Sequence, residues 1–302
     1  VNTLILGGHG MLGSSIDFGL KPTKKEVNLL DYSSLDRYIR EHDVDEIVHA
    51  AGIVGGVKAN NDFMYDFFIN NLYMNANIIR ACKDHNIKRS TFFLSTCVFP
   101  QSAPLPLVES SIHDGEPHPT NFGYAYSKRM LEVGSRSLMR QYGIRTSCIV
   151  PCNMYGKNDN YHLENGHVIP SLIHRCYLAK QNGTEFLVWG SGKAEREFVY
   201  ADDMASIVKS IHTEQMNDLP PLMIVSPGYV HTIAEVVEVI VKHMKFTGRV
   251  VFDATKSEGI MRKNTDNSLF RSRFSDFKFT DLDTGLAKTI EYFVKNYEAV
   301  RK

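Results

Sequence analysis

Four side chains in this sequence combine into one kind of chemistry. Ser95 and Cys97 lie two apart in Ser95-Thr96-Cys97-Val98-Phe99-Pro100, and Tyr124 and Lys128 lie four apart in Gly123-Tyr124-Ala125-Tyr126-Ser127-Lys128. No other Tyr of the chain has a Lys four residues on. At helical spacing that pair shares a face. A phenol is a poor acid-base group at neutral pH, and a neighbouring ammonium is expected to favour the phenolate and lower its pKa. Such a phenol delivers a proton to a carbonyl oxygen while hydride reaches the carbon, and a Ser hydroxyl hydrogen-bonds the same oxygen. The Cys97 thiol is an addition that a plain dehydrogenase does not need.

Hydride chemistry needs a dinucleotide. Gly7-Gly8-His9-Gly10-Met11-Leu12-Gly13 follows an apolar run at Thr3–Leu6 directly. Glycines at that spacing let the backbone approach a pyrophosphate at a helix N-terminus. The helix after Gly13 must be short, because Gly19 and Leu20-Lys21-Pro22-Thr23-Lys24-Lys25 follow at once. An NAD site places a carboxylate at this point to bind the ribose diol. Here stand Lys21, Lys24 and Lys25, which suit a 2′-phosphate and so NADP(H); the plainer alternative is a solvated basic loop. Asn28-Leu29-Leu30-Asp31 would close on the adenine side.

The elements that position these residues alternate. Strands are expected at Thr3–Leu6, Glu46–Ala51, Thr91–Ser95 and Arg145–Val150, with helices near 34–41, 63–84 and 123–142. Nearly continuous apolar strands between helices mean a parallel sheet covered on both faces, and right-handed crossovers make it doubly wound. Ser95 would then end a strand at the carboxyl edge, where such sheets hold ligands. Beyond about residue 153 come a loop rich in Asn, His and Gly, a helix at 168–182, and strands at Glu185–Trp189 and Glu197–Tyr200. A helix near Asp202, a strand at 223–226, a helix at 232–244, a strand at 250–253 and a terminal helix at 283–300 follow. This is an α/β chain with a second, smaller α/β lobe. The division expected is 1–153 for the dinucleotide and 154–302 mainly for substrate, with segments near 197–226 returning to the first domain.

Bulk composition excludes several classes. The 302 residues carry 34 Lys plus Arg against 34 Asp plus Glu, which gives no reason to expect nucleic acid or a membrane surface as partner. No apolar run approaches about 18 residues, so no spanning helix is expected. Val1-Asn2-Thr3-Leu4 lacks the charged start of a signal peptide, and the absent Met suggests a numbering that begins just inside the natural chain. Five Cys without CxxC spacing fit reduced thiols of a cytoplasmic protein. The twelve His are scattered, with no Cys/His set at metal-ligand spacing, so no metal is expected.

Together with the glycine loop, Ser95, Tyr124 and Lys128 resemble the extended short-chain dehydrogenase/reductase family. The likeness runs nearly end to end. It is carried most specifically by His49-Ala50-Ala51-Gly52-Ile53-Val54-Gly55-Gly56, Ser95-Thr96-Cys97-Val98-Phe99-Pro100 and Asn121-Phe122-Gly123-Tyr124. Further on it is carried by Gly166-His167-Val168-Ile169-Pro170, Val188-Trp189-Gly190-Ser191-Gly192 and Arg196-Glu197-Phe198. Those motifs are similar to the branch that epimerises GDP-4-keto-6-deoxy-D-mannose at C3 and C5 and then reduces C4 with NADPH. The resemblance implies a Rossmann domain with Ser95, Tyr124 and Lys128 as reductase triad, and Cys97 and His167 as the acid-base pair of epimerisation. It implies that Ala50, Ala51, Gly52, Pro151, Asn153 and His167 border the cofactor along with the glycine loop. Thr96, Asn153, Val168, Leu172, Arg175, Trp189, Arg196 and Lys263 would hold the GDP-sugar. A homodimer through the helices near 63–84 and 123–142 is also implied. The chain has Cys152 where the family usually has Thr.

Physical chemistry supports the epimerisation pair. Protons beside a C4 ketone are removable once the enolate is stabilised, and the hydroxyls that polarise the ketone do that. Inversion needs a base on one face and an acid on the other; a thiol and an imidazole bracket neutral pH. Cys97 is taken as the base and His167 as the acid. The plainer alternatives are a buried apolar thiol for Cys97 and a helix-capping residue for His167. The Ser95-Thr96-Cys97 run also argues against a 4,6-dehydratase, which would usually carry an acid pair after its Ser.

Overall fold

The structure is a computed structural model; it describes residues 1–214, 218–256 and 259–302. Strands β1 (Thr3–Leu6), β2 (Glu46–His49), β3 (Arg89–Phe93) and β4 (Arg145–Pro151) run parallel. After β5 (Asn153–Tyr155), β6 (Phe186–Trp189), β7 (Glu195–Arg196) and β8 (Phe198–Tyr200), β9 (Leu222–Val225) returns to complete the sheet. Its order is β1-β2-β3-β4-β9. The chain leaves β1 in one direction to a single bridged residue, Leu20, beside Leu4, and in the other to β2. The sheet therefore reverses at β1, where such folds bind ligand.

The strands are buried throughout their length apart from Arg145, as helices on both faces require. One face is covered by α2 (Tyr32–Glu41), α4 (Met64–Asp84) and α5 (Phe122–Tyr142), around Leu35, Ile78, Leu131 and Phe92. The other is covered by α1 (Met11–Ser15), α7 (Ala201–Thr213) and α9 (Ser268–Arg273), around Leu12, Ile207 and Phe270. Between β2 and α4 lies the short α3 (Val57–Asp62).

A further core gathers α6 (Val168–Asn182), α8 (Ile233–Met244) and α10 (Leu282–Lys295) around Phe186, Ile240 and Phe293. Three small sheets belong to this half: β6 with β11 (Val250–Asp253), β5 with β8, and β10 (His231–Thr232) with β7 and β12 (Arg262–Lys263). Alternation in β6 serves both sides: Phe186 and Val188 enter the core, and Leu187 and Trp189 face out. Among the described residues no helix is long and apolar enough to cross a membrane.

Several boundaries differ from the sequence expectation, each for a physical reason. β2 stops at His49: Ala50 still donates to the Leu6 carbonyl at 2.9 Å, and Ala51 then turns in against Gly7. β3 begins at Arg89, whose guanidinium is sheltered by the Ile211 carbonyl and, 4.0 Å away, by Glu46. β3 ends at Phe93, so Ser95 stands just past the edge. The terminal helix stops at Lys295 rather than 300; Asn296 caps it and Val300 folds back into the core.

Candidate active site

The glycine loop is closed by backbone contact. Gly7 has φ +84°, and a Cβ there would sit 2.7 Å from Ala51 N. A Cβ on Gly13 would meet the Gly7 carbonyl at 2.2 Å. Only glycine permits this turn. Ala50 and Ala51 therefore lie against the loop, with His9, Gly10 and Met11 at its rim and Leu12 buried beneath. A Cβ on Gly52 would come within 3.4 Å of Lys128 Nζ. One continuous surface thus runs from the glycine loop to the Tyr-Lys pair, shaped for a dinucleotide laid along the sheet edge.

The basic residues divide. Lys21 packs its stem against Gly8 and donates from Nζ to the Ile16 carbonyl, while its own carbonyl lies 3.1 Å from His9 Nε2. Lys24 and Lys25 are exposed. Asp31 caps α2, accepting from the Ser33 amide at 3.0 Å and the Ser33 hydroxyl at 2.8 Å, and these bonds lower its pKa.

From Thr91 to Pro100 only Ser95 and Cys97 are not buried. Ser95 caps a single 3-10 turn over Thr96–Val98, accepting the Cys97 amide at 3.3 Å. That turn swings Ser95 and Cys97 outward and seats Thr96 and Val98 inward. Arg129 fixes it, donating from Nε to the Val98 carbonyl at 2.6 Å. Cys97 packs against the small cluster of Ala59, Phe67 and Tyr124.

Lys128 is buried and donates to the Phe93 carbonyl at 3.0 Å; its Nζ stands 6.0 Å from the centre of the Tyr124 ring. Burial pulls the Lys128 pKa down to about 8. Burial, and secondarily the charge of Cys97, push the Tyr124 phenol up. The expected lowering by Lys128 does not occur: at that distance the ammonium does not offset desolvation. Tyr124 is a neutral phenol, suited to giving a proton.

His167 caps α6 through its backbone, and its Nδ1 lies 3.6 Å from Asp159 Oδ1. Burial alone would pull the imidazole down; the Asp159 carboxylate more than offsets this and raises its pKa. The loop before His167 docks on the first lobe, where Gly56 N donates to the Asn165 carbonyl at 2.9 Å. Neighbouring Gly55 abuts Ala59 and Phe67, the residues that flank Tyr124. Cys97, Tyr124 and the His167 loop thus share one wall.

The remaining candidates surround this wall. Lys263 and Arg196 are register partners in parallel β12 and β7, so two cations stand side by side, and Lys263 senses the Cys97 charge. Burial leads in lowering the Lys263 pKa. Arg175 donates to the Leu163 carbonyl at 2.8 Å and stacks 4.0 Å over the ring of Trp189. Both line a cavity of about 310 Å³ with Leu163, Glu164 and Leu187. Val168 is half-buried in the first turn of α6, whereas Leu172 packs into the core of the second half. Asn153 gives its Nδ2 to the Glu197 carbonyl at 2.9 Å. Pro151 and Cys152 are buried at the end of β4, and burial pushes the Cys152 thiol up. Among the described residues no three His, Cys, Asp or Glu side chains gather as metal ligands.

Sequence reasoning missed three residues that organise this site. Asn71 holds Ile53 at both N and O, at 2.9 and 3.0 Å. Glu197 is buried between Ser226 and Thr265, 3.3 and 2.7 Å away, and burial raises its pKa. Asp159 faces His167. The available signal was polar residues on faces that ought to be apolar, as with Asn71 and Asn75 four apart in α4.

Residues 3–224 match the NAD dependent epimerase/dehydratase family. This chain belongs to that family. It is 35% identical to the GDP-L-fucose synthase of Dictyostelium discoideum, over 99% of this chain and 97% of that protein. It is also 35% identical to the GDP-L-colitose synthase of Yersinia pseudotuberculosis, over 96% and 97% of the two chains. The crystal structure of a GDP-L-fucose synthetase from Naegleria fowleri bound to NADP superposes with a TM-score of 0.93. It is 32% identical and covers 99% of this chain and 94% of that one.

Proposed function

We propose that this chain converts GDP-4-keto-6-deoxy-D-mannose to GDP-L-fucose, epimerising C3 and C5 and then reducing C4 with NADPH. The observation that carries the reading is a thiol, Cys97, opened to the same wall as a buried neutral phenol, Tyr124, with Ser95 beside it. A reductase alone needs no thiol at that point. Relatives named for GDP-L-fucose and GDP-L-colitose synthesis support a GDP-sugar as the substrate.

The glycine cradle, filled by any Cβ at Gly7 or Gly13, fits the pyrophosphate of a dinucleotide. NADPH held there supplies hydride to C4. Lys128 would hold the nicotinamide ribose, and exposed Lys24 with Lys25 would meet the 2′-phosphate. Ser95 and Tyr124 polarise the C4 oxygen. In the first stage that polarisation stabilises the enolate while Cys97 removes a proton from C3 or C5 and His167 returns one to the opposite face. In the second stage Tyr124 gives its proton to the C4 oxygen. Arg196 and Lys263 would take the diphosphate, and Arg175 with Trp189 the nucleoside end.

The functional unit is a homodimer joined through α4 and α5. These helices pack together and still expose Tyr73, Met130 and Val133, an apolar face that a second copy would cover. Five free cysteines suit a reducing, cytoplasmic setting. Turnover is the test: NADPH oxidation with GDP-4-keto-6-deoxy-D-mannose and GDP-L-fucose as product. Oxidation with a different product returns the chain to the wider group of nucleotide-sugar reductases, 4-epimerases and dehydratases.

A further inference from the structure

Eight buried polar side-chain atoms lack a hydrogen-bond partner among the described residues, and two of them belong to neighbouring side chains: Asp159 Oδ2 and His167 Nδ1. A buried carboxylate oxygen and a buried ring nitrogen each cost stability when left unpaired. Here the carboxylate and the ring are complementary, and Asp159 Oδ1 comes within 3.6 Å of His167 Nδ1.

Asp159 is held in place from several directions. It is 3% exposed, and its Oδ1 accepts the Asn160 amide at 2.7 Å. Asn158 just before it adopts φ +57° and is pinned by Ser14 and by the Tyr292 hydroxyl. Tyr161, two residues on, donates its amide to the Arg301 carbonyl at 2.8 Å. The carboxylate has little room to turn away. His167, in contrast, buries Nδ1 and leaves 42% of its side chain exposed.

Two influences disfavour a protonated ring at this position. One is desolvation; the other is the N-terminus of the 15-residue α6, whose dipole repels a cation. Arg301 adds a like charge. The other ionisable groups of the loop are engaged elsewhere. His162 accepts the Glu164 and Asn165 amides, and Glu164 lies 3.9 Å from Lys58. Among the described residues that act on His167, Asp159 is the group that opposes all three.

We propose that Asp159 is a positioning residue: it keeps Nδ1–H of His167 turned inward, presents Nε2 to the substrate carbon, and sustains the imidazolium that epimerisation consumes. This rests on the functional reading above. In each inversion the Nε2 proton passes to the enolate carbon, the enolate electron pair becomes the new C–H bond, and C4 regains its carbonyl. The neutral ring keeps Nδ1–H on Asp159 and is reprotonated at its exposed edge by solvent.

The test is side-chain nitrogen NMR of histidine-labelled, NADP-bound protein, together with solvent deuterium exchange at C3 and C5. In the wild type Nδ1 should carry the proton in the neutral ring; an Nε2–H tautomer overturns the proposal without any variant. Asp159→Asn should lower the His167 pKa and slow exchange about 10- to 100-fold at neutral pH, a share of what a placed general acid supplies. The exchange profile should move to lower pH, with NADPH binding and KM unchanged. An unmoved imidazole and undiminished exchange would overturn it. Absence of exchange in the wild type would instead sink the functional reading, and the tautomer would still decide the role of Asp159.

Discussion

Replacing Lys128 by Met should damage catalysis and yet stabilise the cofactor-free protein. Lys128 is buried, and desolvation brings its pKa from 10.5 to about 8. At about 1.36 kcal/mol per pH unit, keeping it charged costs the folded chain roughly 3 kcal/mol at neutral pH. The bond to the Phe93 carbonyl returns about 1–2 kcal/mol that Met would forfeit. Lys128→Met should therefore gain about 1–2 kcal/mol at pH 7. The sign of the pH dependence is fixed by linkage. The unfolded lysine keeps its proton up to 10.5 and the folded one loses it near 8, so wild-type stability rises through that window. The advantage of the variant should shrink by roughly 2 kcal/mol between pH 7 and pH 9.5. Paired urea titrations at the two pH values measure this directly, because every other titrating group cancels in the difference. A variant that is less stable at pH 7, by a margin that does not change with pH, would refute the buried-ammonium reasoning. With Lys128 in the ribose-holding role proposed for it, reduction, followed as NADPH oxidation, should fall about 100-fold or more in the variant.

Two further outcomes follow from the same geometry. Cys97→Ser should nearly abolish exchange of C3 and C5 protons with solvent while leaving NADPH binding intact; exchange at the wild-type rate would remove the thiol from the mechanism. Lys24→Glu should raise KM for NADPH and leave NADH almost unchanged, since Lys24 is exposed whereas the Lys21 ammonium is turned onto the Ile16 carbonyl. Equal effects on both cofactors would mean that the 2′-phosphate is read elsewhere.

The parallel sheet was legible because its strands are short apolar runs between amphipathic helices, and position after β1 made the glycine loop specific. Tyr124 and Lys128 could be proposed from their spacing, since hydride chemistry at a carbonyl calls for a phenol and an ammonium one helical turn apart, and Ser95 from its place at a strand end. Cys97 and His167 could be paired only through resemblance: they lie on different elements, and nothing local links residue 97 to residue 167. The strands at Glu195–Arg196, His231–Thr232 and Arg262–Lys263 are two residues long, too short for any periodicity to register. The sign of the Tyr124 shift was misjudged because a sequence shows the neighbouring Lys but not how deeply both are buried. Asp159 read as one more polar residue in an Asn-rich loop; only its burial sets it apart.

The most direct measurement is the isotope pattern of the product made in deuterium oxide with unlabelled NADPH. The account predicts GDP-L-fucose with deuterium at C3 and C5 and protium at C4, because solvent supplies the first two through His167 and NADPH the third. Reduced product with protium at C3 and C5 and unchanged stereochemistry would contradict it, leaving a C4 reductase in which Cys97 has no part.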